Sequence, residues 1–224
     1  MNKLEVIQKA SENENQDSLI ICNEILQNYL MEISIDKPEL ISYDFPKIPS
    51  YQSFCVTSPD RKLRIYSWDT YTGGSMRFFS NVVVWKENDS LYTKMIETLE
   101  GEPGGFYSQI FQVTDELNTF YILNFNSILS SKDCYQAFQT VDLDNSKINF
   151  DHKKIKTKSG LTSKVGFSYD FYSVIDREER PVKLIEYDNQ LRIIRFPIVN
   201  SKGFVTSKKI SYQYDGKYFL RIHF

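Results

Sequence analysis

From residue 51 to the C-terminus, apolar side chains recur at every second position in short runs separated by Asp, Asn, Ser and Gly, and this alternation constrains the fold most. The clearest run, KLRIYSWDT at 62–70, sets Leu63, Ile65, Ser67 and Asp69 on one face and Arg64, Tyr66, Trp68 and Thr70 on the other. After Tyr-Thr-Gly-Gly at 71–74, a second run at 75–86 places Met76, Phe78, Val82 and Val84 on one face and Phe79, Val83 and Trp85 on the other. The two runs predict a hairpin, with Gly73 and Gly74 supplying positive φ at its turn.

Further strands are expected at 90–97, 106–113, 119–125, 135–143, 166–175, 182–187, 191–198, 204–212 and 218–223. Connections this short favour antiparallel pairing, because a parallel crossover needs a dozen or more residues. The 16 Phe, 15 Tyr and 2 Trp suit a pleated, half-buried surface. The expected fold is therefore mainly β, an antiparallel meander forming a barrel or sandwich. An alternative is a small propeller-like array, because Asp60, Asp144 and Asp188 recur in similar turns at a spacing that fits repeats of about 42 to 44 residues, although Asp215 breaks the interval.

Ahead of the strands the period is helical. Leu4, Ile7 and Ala10 fall three apart in a segment too short to stand alone. Leu19, Cys22, Ile25, Leu26, Tyr29, Leu30 and Ile33 follow at intervals of three and four, with Asp17 or Ser18 as the expected cap. Pro38, Pro46 and Pro49 then mark a connector over 37–50. The chain accordingly divides into a helical segment and connector at 1–50 and a β-rich domain at 51–224.

With 27 Lys plus Arg against 29 Asp plus Glu, no global field recommends a nucleic acid as partner. Cys22, Cys55 and Cys134 lack CxxC spacing or a neighbouring histidine, so no metal site is expected and the thiols read as small buried hydrophobes. No stretch approaches the roughly 20 apolar residues of a transmembrane segment. As written, the chain reads as cytoplasmic; a leader removed ahead of residue 1 would make it extracytoplasmic.

There is no GxSxG, GxxxxGK[ST], HExxH or GxGxxG, and no cofactor is implied. A histidine-dependent site would have to recruit His152 or His223 to a partner that the spacing does not reveal. Gly104 and Gly105 read as a turn before a strand, and the charged stretches 151–158 and 176–180 as solvated loops. The most site-like segment is 66–71, where Tyr66, Trp68, Asp69 and Tyr71 could line a peptide or glycan groove by stacking and hydrogen bonding. Set against this, alternating aromatics on a strand usually form core and cross-strand pairs.

The segment SPDRKLRIYSWDTYTGGSMRFF at 58–79 resembles uncharacterised bacterial proteins, often exported or lipid-anchored, that share a SPDxKxRIYSWDTxxGGxMxFF-like pattern. A weaker echo lies in the Tyr-x-Tyr-Asp-Gly-x-x-Phe stretch at 212–219. The resemblance implies a β-rich domain of the cell envelope and brings no catalytic residues with it. Three functional classes follow: a noncatalytic binding or interaction domain, favoured here; a hydrolase using converging carboxylates such as Asp69; and a structural partner in an envelope or toxin-neutralising complex.

Overall fold

The computed structural model describes residues 16–44, 53–98, 101–115, 119–144 and 146–223. Strand accounts for 51% and helix for 15% of the structure, and among the described residues one N-terminal α-helix precedes mainly antiparallel sheets. The chain forms two compact units, Met1–Tyr107 with Ser127–Ser131, and Ser108–Asn126 with Lys132–Phe224.

The first unit is a four-stranded sheet covered by a helix. Helix α1 (Gln16–Asp36) is followed by a 3-10 turn at Pro38–Ser42 and by strands β1 (Ser53–Thr57), β2 (Leu63–Asp69), β3 (Phe79–Glu87) and β4 (Ser90–Met95), paired in that order. The expected caps Asp17 and Ser18 lie inside the helix, whose start precedes them. The expected segment at 4–10 lies outside the described residues, as does the connector beyond residue 44. Leu19 and Leu26 of α1 pack on Tyr66, Trp68, Val82 and Val84 of the sheet, with Cys22 and Leu30 at the margin. Ile25 and Tyr29, which belong to the same apolar pattern, are instead exposed. A flat sheet covers only one arc of a helix, and the apolar residues of α1 span more than that arc.

Strand β2 is buried along its whole length, because β1 and β3 flank it and both faces are covered. The β2–β3 hairpin pairs Leu63 with Trp85 and Asp69 with Phe79. Its loop does not use the glycines as expected. Positive φ falls on Tyr71, at 60°. Gly73 is required by close approach, since a Cβ there would stand 2.2 Å from the Met76 carbonyl oxygen.

The second unit contains two sheets. One has the order β11 (Lys164–Asp170), β7 (Asp133–Asp144), β6 (Thr119–Ile128), β5 (Phe106–Thr114), with β8 (Lys147–Asn149) also on β7. The first two residues of β5 and the last two of β6 are assigned to the first unit. The other sheet has the order β10 (Gly160–Thr162), β9 (Ile155–Thr157), β15 (Phe219–Ile222), β14 (Val205–Tyr214), β13 (Ile193–Val199), β12 (Glu186–Asp188). The β15–β9 pair is parallel and departs from a pure meander.

Phe120, Ile122 and Phe138 from one sheet and Ile194, Phe196, Tyr212 and Phe219 from the other share one core, as in a sandwich. Phe138 lies 5.6 Å from Phe196 between ring centroids. No sheet closes into a barrel among the described residues.

Two of the recurring aspartates, Asp188 and Asp215, are explained by turn chemistry. Asp188 Oδ1 accepts the amides of Gln190 and Leu191, and Asp215 Oδ1 those of Lys217 and Tyr218. These amides hold both carboxyls below the usual range. Sheets of unequal width joined by such turns take the place of the propeller-like alternative.

Candidate functional site

The residues read as a groove are for the most part core. Tyr66 is 9%, Trp68 2% and Asp69 3% exposed, and Tyr71 is half-buried. Trp68 Nε1 donates to Asn23 Oδ1 of α1 at 2.8 Å, and Asn23 Nδ2 donates to the carbonyls of Leu19 and Thr70. One amide side chain thus ties the helix, the strand and the hairpin loop together.

Asp69 closes that loop. Its Oδ1 accepts the Tyr71 amide at 2.8 Å, which supports the left-handed backbone there, and its Oδ2 pairs with Arg77 at 3.3 Å. Burial pushes the Asp69 carboxyl above the usual carboxylate range, against the opposing pull of the Tyr71 amide and the Arg77 guanidinium. The folded carboxyl therefore binds its proton more tightly than the unfolded one. Stability attributable to Asp69 falls as pH rises from the unfolded value near 3.9 through the higher folded value. Relative to the parent, Asp69→Asn becomes progressively less destabilising over that window. Urea titrations between about pH 4 and 7 measure this difference; a flat or oppositely sloped difference would contradict the assignment.

The remaining polar positions of 58–79 are also structural. Ser58 Oγ and Asp60 Oδ1 organise the β1–β2 turn, accepting the amides of Leu63 and Lys62. The Arg64 guanidinium donates to the carbonyls of Leu40 and Tyr43 and to Thr57 Oγ1. Ser67 Oγ donates to Asn81 Oδ1 at 2.6 Å and accepts the Tyr107 amide, and Asn81 Nδ2 donates to the Gly105 carbonyl. Gly104 has φ of 65°, and a Cβ there would stand 3.0 Å from the Phe79 carbonyl oxygen, so the Pro-Gly-Gly stretch is backbone docked against backbone.

The structure also supplies the partner that spacing alone did not reveal for His152. Its Nδ1 lies 3.1 Å from Asp142 Oδ2, its ring packs on Phe120 at 5.4 Å, and its backbone carbonyl accepts from Thr140 Oγ1. Asp142 orients the imidazole as the acid of a hydrolytic triad would. The outer nitrogen, Nε2, is buried, and among the described residues it has no hydrogen-bond partner, so none of their hydroxyls or thiols stands where this histidine would activate it. The stretch 151–158 is consequently no simple solvated loop: it carries His152 and strand β9, whose Ile155 is fully buried.

All three cysteines are free, and burial pushes the Cys55 and Cys134 thiols up to about 11. Thiols held protonated at neutral pH are poor nucleophiles. In 176–180, Arg177 pairs with Glu179, and Arg180 donates to the Ile175 carbonyl.

The surface that stands apart is the outward side of α1. Ile20, Ile21 and Ile25 are 51%, 55% and 51% exposed, and Tyr29 is also exposed. Ile21, Ile25 and Tyr29 form one ridge at intervals of four, beside a second ridge of Glu24, Asn28, Glu32 and Asp36. The helix contains no Lys or Arg. The chain matches no family model, no curated protein and no solved structure. The interval-of-four rows that reveal this face are present in the sequence. A helical apolar period does not by itself say which of its residues face the core.

Proposed function

We propose that the protein is a binding module that engages another polypeptide through the outward face of α1. The observation that carries this reading is the exposure of Ile20, Ile21 and Ile25 on a helix whose opposite face is fastened to the sheet by Leu19, Leu26 and the Asn23–Trp68 hydrogen bond. A side chain of this kind contributes about 1.5–3 kcal/mol on full burial, and each of the three still has roughly half of that to gain. A rigid helix presenting such side chains also loses little conformational freedom on binding. Tyr66 and Trp68 serve this module by holding the helix in place, and Asp69 closes the loop whose Thr70 carbonyl accepts from Asn23 of the helix. The resemblance of 58–79 to exported or lipid-anchored bacterial β-rich proteins supports a setting at the cell envelope.

Ile21→Asp combined with Ile25→Asp is the test. Because each side chain is only about half-buried, the double variant loses no more than about 1.5–3 kcal/mol and stays folded. Helical peptides selected by display against the full chain lose binding to the variant. A larger loss of stability would show that the face is packed, and selected peptides that bind parent and variant alike would place the contact surface elsewhere.

A further inference from the structure

We infer that the partner of α1 is a basic amphipathic helix, with an apolar ridge bordered by Lys or Arg; this rests on the reading of α1 as the contact surface. The evidence is the one-sided charge of the face. Glu24, Glu32 and Asp36 form the ridge next to Ile21, Ile25 and Tyr29, Asp17 precedes that apolar ridge by one interval of four, and no basic residue lies on the helix. Among the described residues, none of these carboxylates has an ion-pair partner within 4.0 Å. Their charges are therefore available to an incoming chain.

A second copy of the same helix is disfavoured by the same charges. In a two-fold pairing the face meets itself, which would set carboxylates against carboxylates while the isoleucines met. An apolar ridge laid along Ile21 and Ile25 at a helix packing distance brings its own flanking positions over Glu24 and Glu32, where Lys or Arg is attracted and Asp or Glu repelled. The apolar ridge supplies adhesion and the acidic ridge selects the sign of the partner.

The test uses the full chain and two synthetic helical peptides with the same Leu ridge at intervals of three and four, one flanked by Lys and the other by Glu. Fluorescence anisotropy at low salt is expected to show the Lys peptide binding at least about tenfold more tightly, the effect of a few exposed ion pairs acting together. That preference shrinks as salt is raised. It reverses in the variant carrying Glu24→Lys, Glu32→Lys and Asp36→Lys, and both peptides lose binding in the variant carrying Ile21→Asp and Ile25→Asp.

Equal binding of the two peptides, lost in the isoleucine variant, would overturn the basic partner and leave the contact surface standing. No binding of either peptide, or binding unaffected by the isoleucine changes, would overturn both. A dimer in sedimentation velocity that dissociates in the isoleucine variant would replace the basic partner with a second copy of this chain.

Discussion

Replacing Trp68 by alanine lowers the unfolding free energy of the first unit by about 3–5 kcal/mol, the range for deleting a large buried aromatic. Trp68 is 2% exposed and packs with Leu19 and Leu26 of α1 and with Tyr66, Val82 and Val84 of the sheet. Its removal opens a cavity and strands Asn23 Oδ1, which accepts from the indole nitrogen. Trp68→Phe separates the two losses: it keeps most of the apolar contact and forfeits the hydrogen bond, at a cost of about 1–3 kcal/mol. Denaturant titrations followed by circular dichroism read both, with the fluorescence of Trp85 as a second probe. A loss below about 1 kcal/mol for Trp68→Ala would restore Trp68 as a candidate for ligand contact rather than core.

Arg64→Ala is expected to cost about 3 kcal/mol or more, from several charge-assisted hydrogen bonds lost together. Arg64 is 2% exposed on a central strand, and its guanidinium reaches the Leu40 and Tyr43 carbonyls at the end of the 3-10 turn while its Nε donates to Thr57 Oγ1 at 2.8 Å. It is the clamp that fastens the segment after α1 onto the sheet. Arg64→Lys recovers only part of the loss, because an ammonium on a flexible stem cannot reproduce a planar fork addressing three acceptors. Arg64→Met keeps the aliphatic stem and isolates the hydrogen bonds. Hydrogen exchange at Tyr43, whose amide donates to the Leu40 carbonyl, should accelerate in all three variants. Unchanged exchange would show that the turn is held by other contacts.

Arg64 and Trp68 belong to the segment 58–79, much of which is used by the fold. Ser58, Asp60, Arg64, Ser67, Trp68, Asp69 and Gly73 each meet a structural requirement: a turn, a clamp, a cross-strand network, a core contact, a loop closure or a close backbone approach. A segment in which so many positions are committed to the fold leaves little for a ligand. The contact surface proposed above lies instead on α1, where Ile20, Ile21 and Ile25 are exposed.

Local alternation, helical period and turn residues determined by themselves that this chain is a set of antiparallel strands behind a helix, because those signals arise from backbone geometry within a few residues. The strands at 62–70, 106–113 and 191–198 needed no tertiary information, nor did the turn role of Asp188 and Asp215. Only the tertiary structure decided which sides of those elements meet. It buried both faces of β2, one of them under α1, while β1 and β3 paired its edges. It moved the positive φ from the glycines to Tyr71, which Asp69 supports from across the loop. It joined β9 to β15 in parallel across some sixty residues of chain, and it gave His152 an aspartate. It also left Ile21 and Ile25 in solvent, because a helix lying on a sheet can be covered along one arc only, and the pattern of apolar residues does not say which arc that is.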